Sequence, residues 1–241
     1  MGAGFIQRVS GFGLSIFTMM FFPHFLPSQA AAVTVSTLLS TGTTTFNTIK
    51  YRKDISLKTV IPMICAALVS ITVAVCFSKM VSADIFKILL GSVLILLSLY
   101  FLFFSNKISI KTTVPNGVLT GTLSGVLGGL FSTSGPPAVM YLTNALEDNK
   151  TYFATIQFYF CITNIYSLIM RLFNGLFTIE MLLFFAIGFI GSIIGDFLGK
   201  LVFDKLNAKK LRLIVYIGMI FQTTKYIIMY DLIKIFDQYN E

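Results

Sequence analysis

The chain reads as an all-α integral membrane protein made of two inverted repeats, each a re-entrant or broken helical hairpin followed by three transmembrane helices. Three observations predict this. The 241 residues are 56% hydrophobic and only 12% charged, with a mean hydropathy of +0.84, and so few charges cannot cover a soluble domain of this length. Apolar runs recur at the length of about 20 residues that a bilayer core of about 30 Å needs at about 1.5 Å per helical residue. Two runs are interrupted, one at the start of each half.

The apolar segments are residues 2–26, 30–48, 59–77, 86–104, 114–146, 152–173, 179–202 and 213–230. The linkers between them are short and polar, and none can hold a soluble domain. Segment 114–146 is too long for one crossing. Ser132, Thr133, Ser134, Gly135, Pro136 and Pro137 break it, the two prolines removing backbone donors and disfavouring helix just before them. Backbone freed in this way must be buried in protein or line a wet cavity. Segment 2–26 carries a weaker break at Ser10-Gly11-Phe12-Gly13. Residues 1–110 and 111–241 thus form two repeats of one membrane domain, each opening on a broken segment. Such paired interruptions point to a transporter binding site.

Charge orients the spans. Lys50, Arg52, Lys53 and Lys58 place linker 49–58 on the cytoplasmic side, and Lys107 and Lys111 do the same for linker 105–113. If segment 114–146 crossed fully, the basic linker marked by Lys200, Lys205, Lys209, Lys210 and Arg212 would lie outside. If it folds back as a hairpin, that linker lies inside, as the rule requires. Each repeat then crosses an odd number of times, which inverts the second relative to the first.

A helical limb starting after such a break presents unpaired N–H groups and a partial positive charge, a ready site for a small anion. Ser132, Thr133 and Ser134 add hydroxyls, and Gly135 allows close approach of backbone at the limb begun by Pro136. Ser10, Gly11 and Gly13 match them in the first half. Gln7 and Arg8 adjoin the first break, and Arg8 either supplies the one positive charge or snorkels from a terminal stub. Gln157 and Asn164 share one face of segment 152–173 and are candidates to line the substrate pathway, since a buried amide is costly unless satisfied. Thr34, Ser36, Thr37, Ser40 and Thr41 make segment 30–48 hydroxyl-rich, singly better explained by bonding between helices. Gly121, Gly125, Gly128 and Gly129 recur at packing spacing, and close helix contact explains them best.

Several function classes are excluded. The net charge of +8 lies between apolar runs, as in cytoplasmic loops, so nucleic acid is not a partner. A lone histidine, His24, rules out multi-histidine metal sites and reads as a loop residue between Pro23 and Pro27. Cys65, Cys76 and Cys161 lack ligand or disulfide spacing. No serine has a base partner and no Gly-rich loop carries the Lys-Ser/Thr of a nucleotide site, so neither catalytic residues nor cofactors are expected. Asp196 and Lys200, four apart, are placed to pair near a cytoplasmic helix end.

The run Gly121–Tyr141, GTLSGVLGGLFSTSGPPAVMY, resembles the second-half signature of the sulfite exporter TauE/SafE family. The run Phe5–Gly13, FIQRVSGFG, resembles its first-half signature. The Gly-Pro-Pro run with its upstream glycines is the more specific of the two. Ser132 and Thr133 stand where glycine is frequent in the family, and Arg8 where a small or neutral residue is usual. The resemblance implies a proton-coupled, multi-pass carrier in the cell membrane for sulfite, sulfonates or related small organic anions. An anion channel shares the same tips, and a non-transporting scaffold would share only the architecture. Phe-rich faces suit lipid or a second copy in a homo-oligomer equally.

Overall fold

The computed structural model describes residues 4, 13–82, 85, 86, 88–93, 96 and 111–203. Helix α1 (Leu14–Phe25) leads into α2 (Gln29–Lys50), a short 3-10 turn (Arg52–Asp54) and α3 (Leu57–Ser78). Then come α4 (Val114–Phe131), α5 (Gly135–Ala145), α6 (Asn149–Phe173) and α7 (Glu180–Phe203). Residues 85, 86, 88–93 and 96 are helical too, and no strand occurs among the described residues. Expected segments 30–48, 59–77, 152–173 and 179–202 correspond to α2, α3, α6 and α7 within three residues at each end. Segment 114–146 divides at its serines into α4 and α5. Segment 213–230 lies outside the described residues.

Local chemistry sets the ends. Ser28 caps α2 by accepting from the Ala31 N–H at 3.1 Å, and Asp148 caps α6 by accepting from the Thr151 N–H at 2.8 Å. The expectation of a loop at His24 is corrected: helix α1 runs through Pro23 to Phe25, closed by the Leu26 N–H on the Phe22 carbonyl at 2.9 Å. The stop comes from Pro27, which holds Leu26 extended at φ −100, ψ 149.

The distribution of polarity is inside out. Thr34, Ser36, Thr37, Thr44, Ser124, Gln157, Asn164, Ser167 and Arg171 are buried. Val69, Val73, Phe173, Leu183, Ile187 and Phe197 are each more than 60% exposed. Water would penalise that surface heavily, whereas lipid would not. By length and composition, α3 and α6 are the two helices among the described residues that can each cross a membrane.

Glycines bring α3 and α4 into backbone contact along parallel axes. A Cβ added to Gly121 would strike Met63, one on Gly125 would strike Ala67 and Ser70, and one on Gly129 would come within 2.7 Å of Ala74. Their spacing therefore serves packing, as the sequence indicates.

Helices α4 and α5 form a hairpin whose ends lie together, the Tyr141 hydroxyl donating to the Thr113 carbonyl at 3.2 Å. The chain leaving α5 meets the basic turn between α2 and α3. Lys150 pairs with Asp54 at 3.1 Å, the Ser56 N–H donates to Thr155 at 2.9 Å, and Tyr51 meets Phe153 edge-on at 5.3 Å. The starts of α3 and α6 and the end of α2 therefore share one face of the bundle.

Candidate functional site

The hairpin turn is built from backbone that few residues adopt. Ser132 is the one non-glycine residue with positive φ among those described, at φ 58, ψ 22. A Cβ there costs about 1–2 kcal/mol, which explains why glycine is the ordinary choice at such a helix end. Three contacts hold the turn. The Ser132 N–H reaches the Gly128 carbonyl at 3.0 Å, the Ser132 and Thr37 hydroxyls pair at 3.0 Å, and Ser124 donates to the Ser134 carbonyl at 2.5 Å.

Helix α5 begins at Gly135 with no side-chain cap. Its first four positions are Gly135, Pro136, Pro137 and Ala138, so the two prolines halve the N–H donors that a helix start ordinarily offers. The loss of donors expected from the two prolines leaves hydroxyls outnumbering amides at this tip.

The first break meets the second. Gly13, at φ 106, ψ −7, precedes α1. Gly13, Leu14, Ser15 and Ile16 line one side of a crevice whose other side is Ser132, Thr133, Ser134 and Gly135, with Ser40 of α2 and Phe160 of α6 completing it. Its volume is about 20 Å³, room for about one water. Among the described residues that line it, none carries a formal charge.

Helix α2 stands behind the crevice as a column of hydroxyls. Thr37, Thr41 and Thr44 each donate to the carbonyl four residues back at 2.7 Å, which satisfies them within the helix. Thr18 and Ser36 join α1 to α2 at 2.6 Å. Asn164 donates to Ser40 at 2.9 Å, which places this amide one step behind the crevice wall. Gln157 lies further along the same interface and accepts from Asn47 at 3.4 Å. Pro136 is buried at the start of α5. Gln7, Arg8, Ser10 and Gly11 lie outside the described residues, and so do the side chains of Asp196 and Lys200.

One polar residue escaped the sequence reading. Arg171, in the last turn of α6, is 1% exposed. A terminal nitrogen donates to the Gly129 carbonyl, three residues before the turn. The available signal was an ionisable residue inside an apolar segment. Its place near the segment end makes it look like an ordinary snorkelling charge.

An apolar exterior, a polar interior and a broken helix among the buried residues define a membrane-embedded helical protein. The family model described as "Sulfite exporter TauE/SafE" matches residues 1–226, and the chain belongs to that family. Its members are transporters rather than enzymes, and membership implies a membrane transporter of sulfite or a related anion. No curated protein and no solved structure matches the chain.

Proposed function

We propose that the chain is a secondary transporter that moves a small anion across the cell membrane by alternating access, coupled to protons. The anion is sulfite, a sulfonate or a related sulfur-containing or organic anion. The observation that carries this reading is the crevice in which the two interrupted segments meet, Gly13–Ile16 against Ser132–Gly135. Residues 1–110 and 111–241 are the two inverted repeats, and the α4–α5 hairpin is re-entrant. Its support is the pair of contacts that returns the chain to the basic turn, Tyr141 with Thr113 and Lys150 with Asp54.

In this reading Ser132, Thr133, Ser134, Gly135 and Gly13 touch the anion, with Pro136 setting the start of the second limb. Ser10, Gly11, Gln7 and Arg8 approach from the first half, and Asn164 and Gln157 hold the α2 wall in place. Room for about one water is too little for a four-heavy-atom anion, so binding here requires the two segments to part. That favours a carrier over an open channel.

Uptake into proteoliposomes of sulfite, a sulfonate, a short carboxylate and sulfate, with and without a pH gradient, tests the proposal. Saturable uphill flux of one anion, reduced in Ser134→Ala, is expected. Flux that runs only downhill would convert the carrier into a channel. No flux from folded protein would remove the proposal. Topology is tested separately with single cysteines at Asp148 and Lys209, which are expected to label from the same side.

A further inference from the structure

We infer that Arg171 and the cavity beside it form an anion-docking site for a sulfite, sulfonate or carboxylate group, on the face opposite the basic turn. This rests on the reading of the chain as an anion transporter and adds to it a charged site separate from the tip crevice.

The cavity has a volume of about 390 Å³, within the range of roughly 300–1,000 Å³ usual for small-molecule sites. It is walled by the turn between α1 and α2 (Pro27, Ser28, Gln29), Ser78 at the end of α3, Leu130 beside the hairpin turn, and Arg171. Helix α2 ends at the basic turn, while α3 and α6 start beside it. The beginning of α2 and the ends of α3 and α6 therefore lie at the other extreme. By the positive-inside rule that face is the outer one.

Arg171 is buried and has no carboxylate partner among the described residues, and no Asp or Glu is among the residues that line the cavity. Its Nε–H has no hydrogen-bond partner. A buried, uncompensated guanidinium is strongly unfavourable and is among the first places to look for a bound anion. Part of its role is structural: the Gly129 carbonyl belongs to the last turn of α4, where a cation is favourable. That contact uses one terminal nitrogen and leaves both the Nε–H and the neighbouring cavity unexplained. A guanidinium edge gives two parallel N–H groups to two oxygens of one oxyanion, a match that a carboxylate, sulfite or sulfonate fulfils. A second unpartnered polar atom, Gln29 Oε1, lies in the same wall. Flipping that amide presents its NH2 to the anion. Because Arg171 also holds Gly129, an anion seated here pulls on the group that supports the Ser132 turn.

The full chain is tested in detergent and in proteoliposomes with sulfite and methanesulfonate. Thermal-shift titration reads binding, and uptake reads half-saturation. Arg171→Met is expected to weaken both by roughly 10- to 100-fold. Arg171→Lys keeps charge without the fork and is expected to lose less. Ser78→Trp fills the cavity while sparing the contact to Gly129, and is expected to weaken binding as Arg171→Met does. If Arg171→Met does not fold, the other two variants decide. Wild-type affinity in folded Arg171→Met and Ser78→Trp would overturn the site, reduce Arg171 to a cap and leave the transporter reading intact. Arg171-dependent binding without flux would support the site and remove that reading. Absence of binding to the wild type would overturn the site.

Discussion

The two breaks that meet at the crevice are made differently. At the first, conformational freedom comes from a missing side chain, Gly13 at φ 106. At the second, a residue with a side chain is held in left-handed backbone by its surroundings: Ser132, at φ 58, meets Thr37 directly, while Ser124 binds the Ser134 carbonyl and Arg171 the Gly129 carbonyl on either side of it. One limb tolerates its shape and the other is forced into it. The difference locates the strain on one side of the crevice, beside the hydroxyls proposed to touch the anion.

The largest effect that can break this contrast is at Gly13. Gly13→Val puts a β-branched side chain where the backbone excludes it. A loss of about 2–3 kcal/mol in unfolding free energy is expected, together with loss of flux. Unchanged stability would mean that the first limb is not bound by its glycine. Next comes Ser124→Ala, which strips the buried donor from the Ser134 carbonyl. It is expected to cost about 1–2 kcal/mol in detergent unfolding. Ser132→Gly sharpens the contrast. It relieves about 1 kcal/mol of backbone strain and removes a hydroxyl contact to Thr37 worth a similar amount. The expected result is a stability change within about 1 kcal/mol and a raised half-saturation for the anion. A large gain in stability with unaltered half-saturation would show the Ser132 hydroxyl to be idle.

The smallest effect is expected outside both breaks. The Thr151 backbone N–H, and then its hydroxyl, hold the exposed Asp148 carboxyl below the ordinary carboxylate value. Stability from this cap is present above the unfolded carboxylate pKa and is lost as pH falls through the lowered folded one. The unfolding midpoints of wild type and Asp148→Asn should therefore converge in acid and separate slightly towards neutral pH. A difference independent of pH would show that the negative charge contributes nothing to the cap.

The second break was legible, and so was the Gly13 end of the first, because glycine and proline act locally: what they forbid in the backbone holds whatever surrounds them. The Gly121, Gly125 and Gly129 seam was legible for a similar reason, since a repeated small residue needs only a close neighbour. Arg171 was not, because its meaning lies in what surrounds it. Burial, an unused Nε–H and an adjoining cavity are properties of the packed bundle, and a single charge near the end of an apolar run carries no trace of them. The shortage of amide donors at Pro136 and Pro137 was legible for the same local reason. Two prolines at a helix start subtract from the very groups that the helix-end argument relies on.

The glycine seam between α3 and α4 has a mechanical consequence. With Gly121 against Met63, Gly125 against Ala67 and Gly129 against Ala74, the two helices have no layer of side chains to slide on. They behave as one plank. If one part of the bundle is displaced past another, the shear plane cannot run between α3 and α4. The joint is welded along the edge of the hairpin that α4 presents to α3.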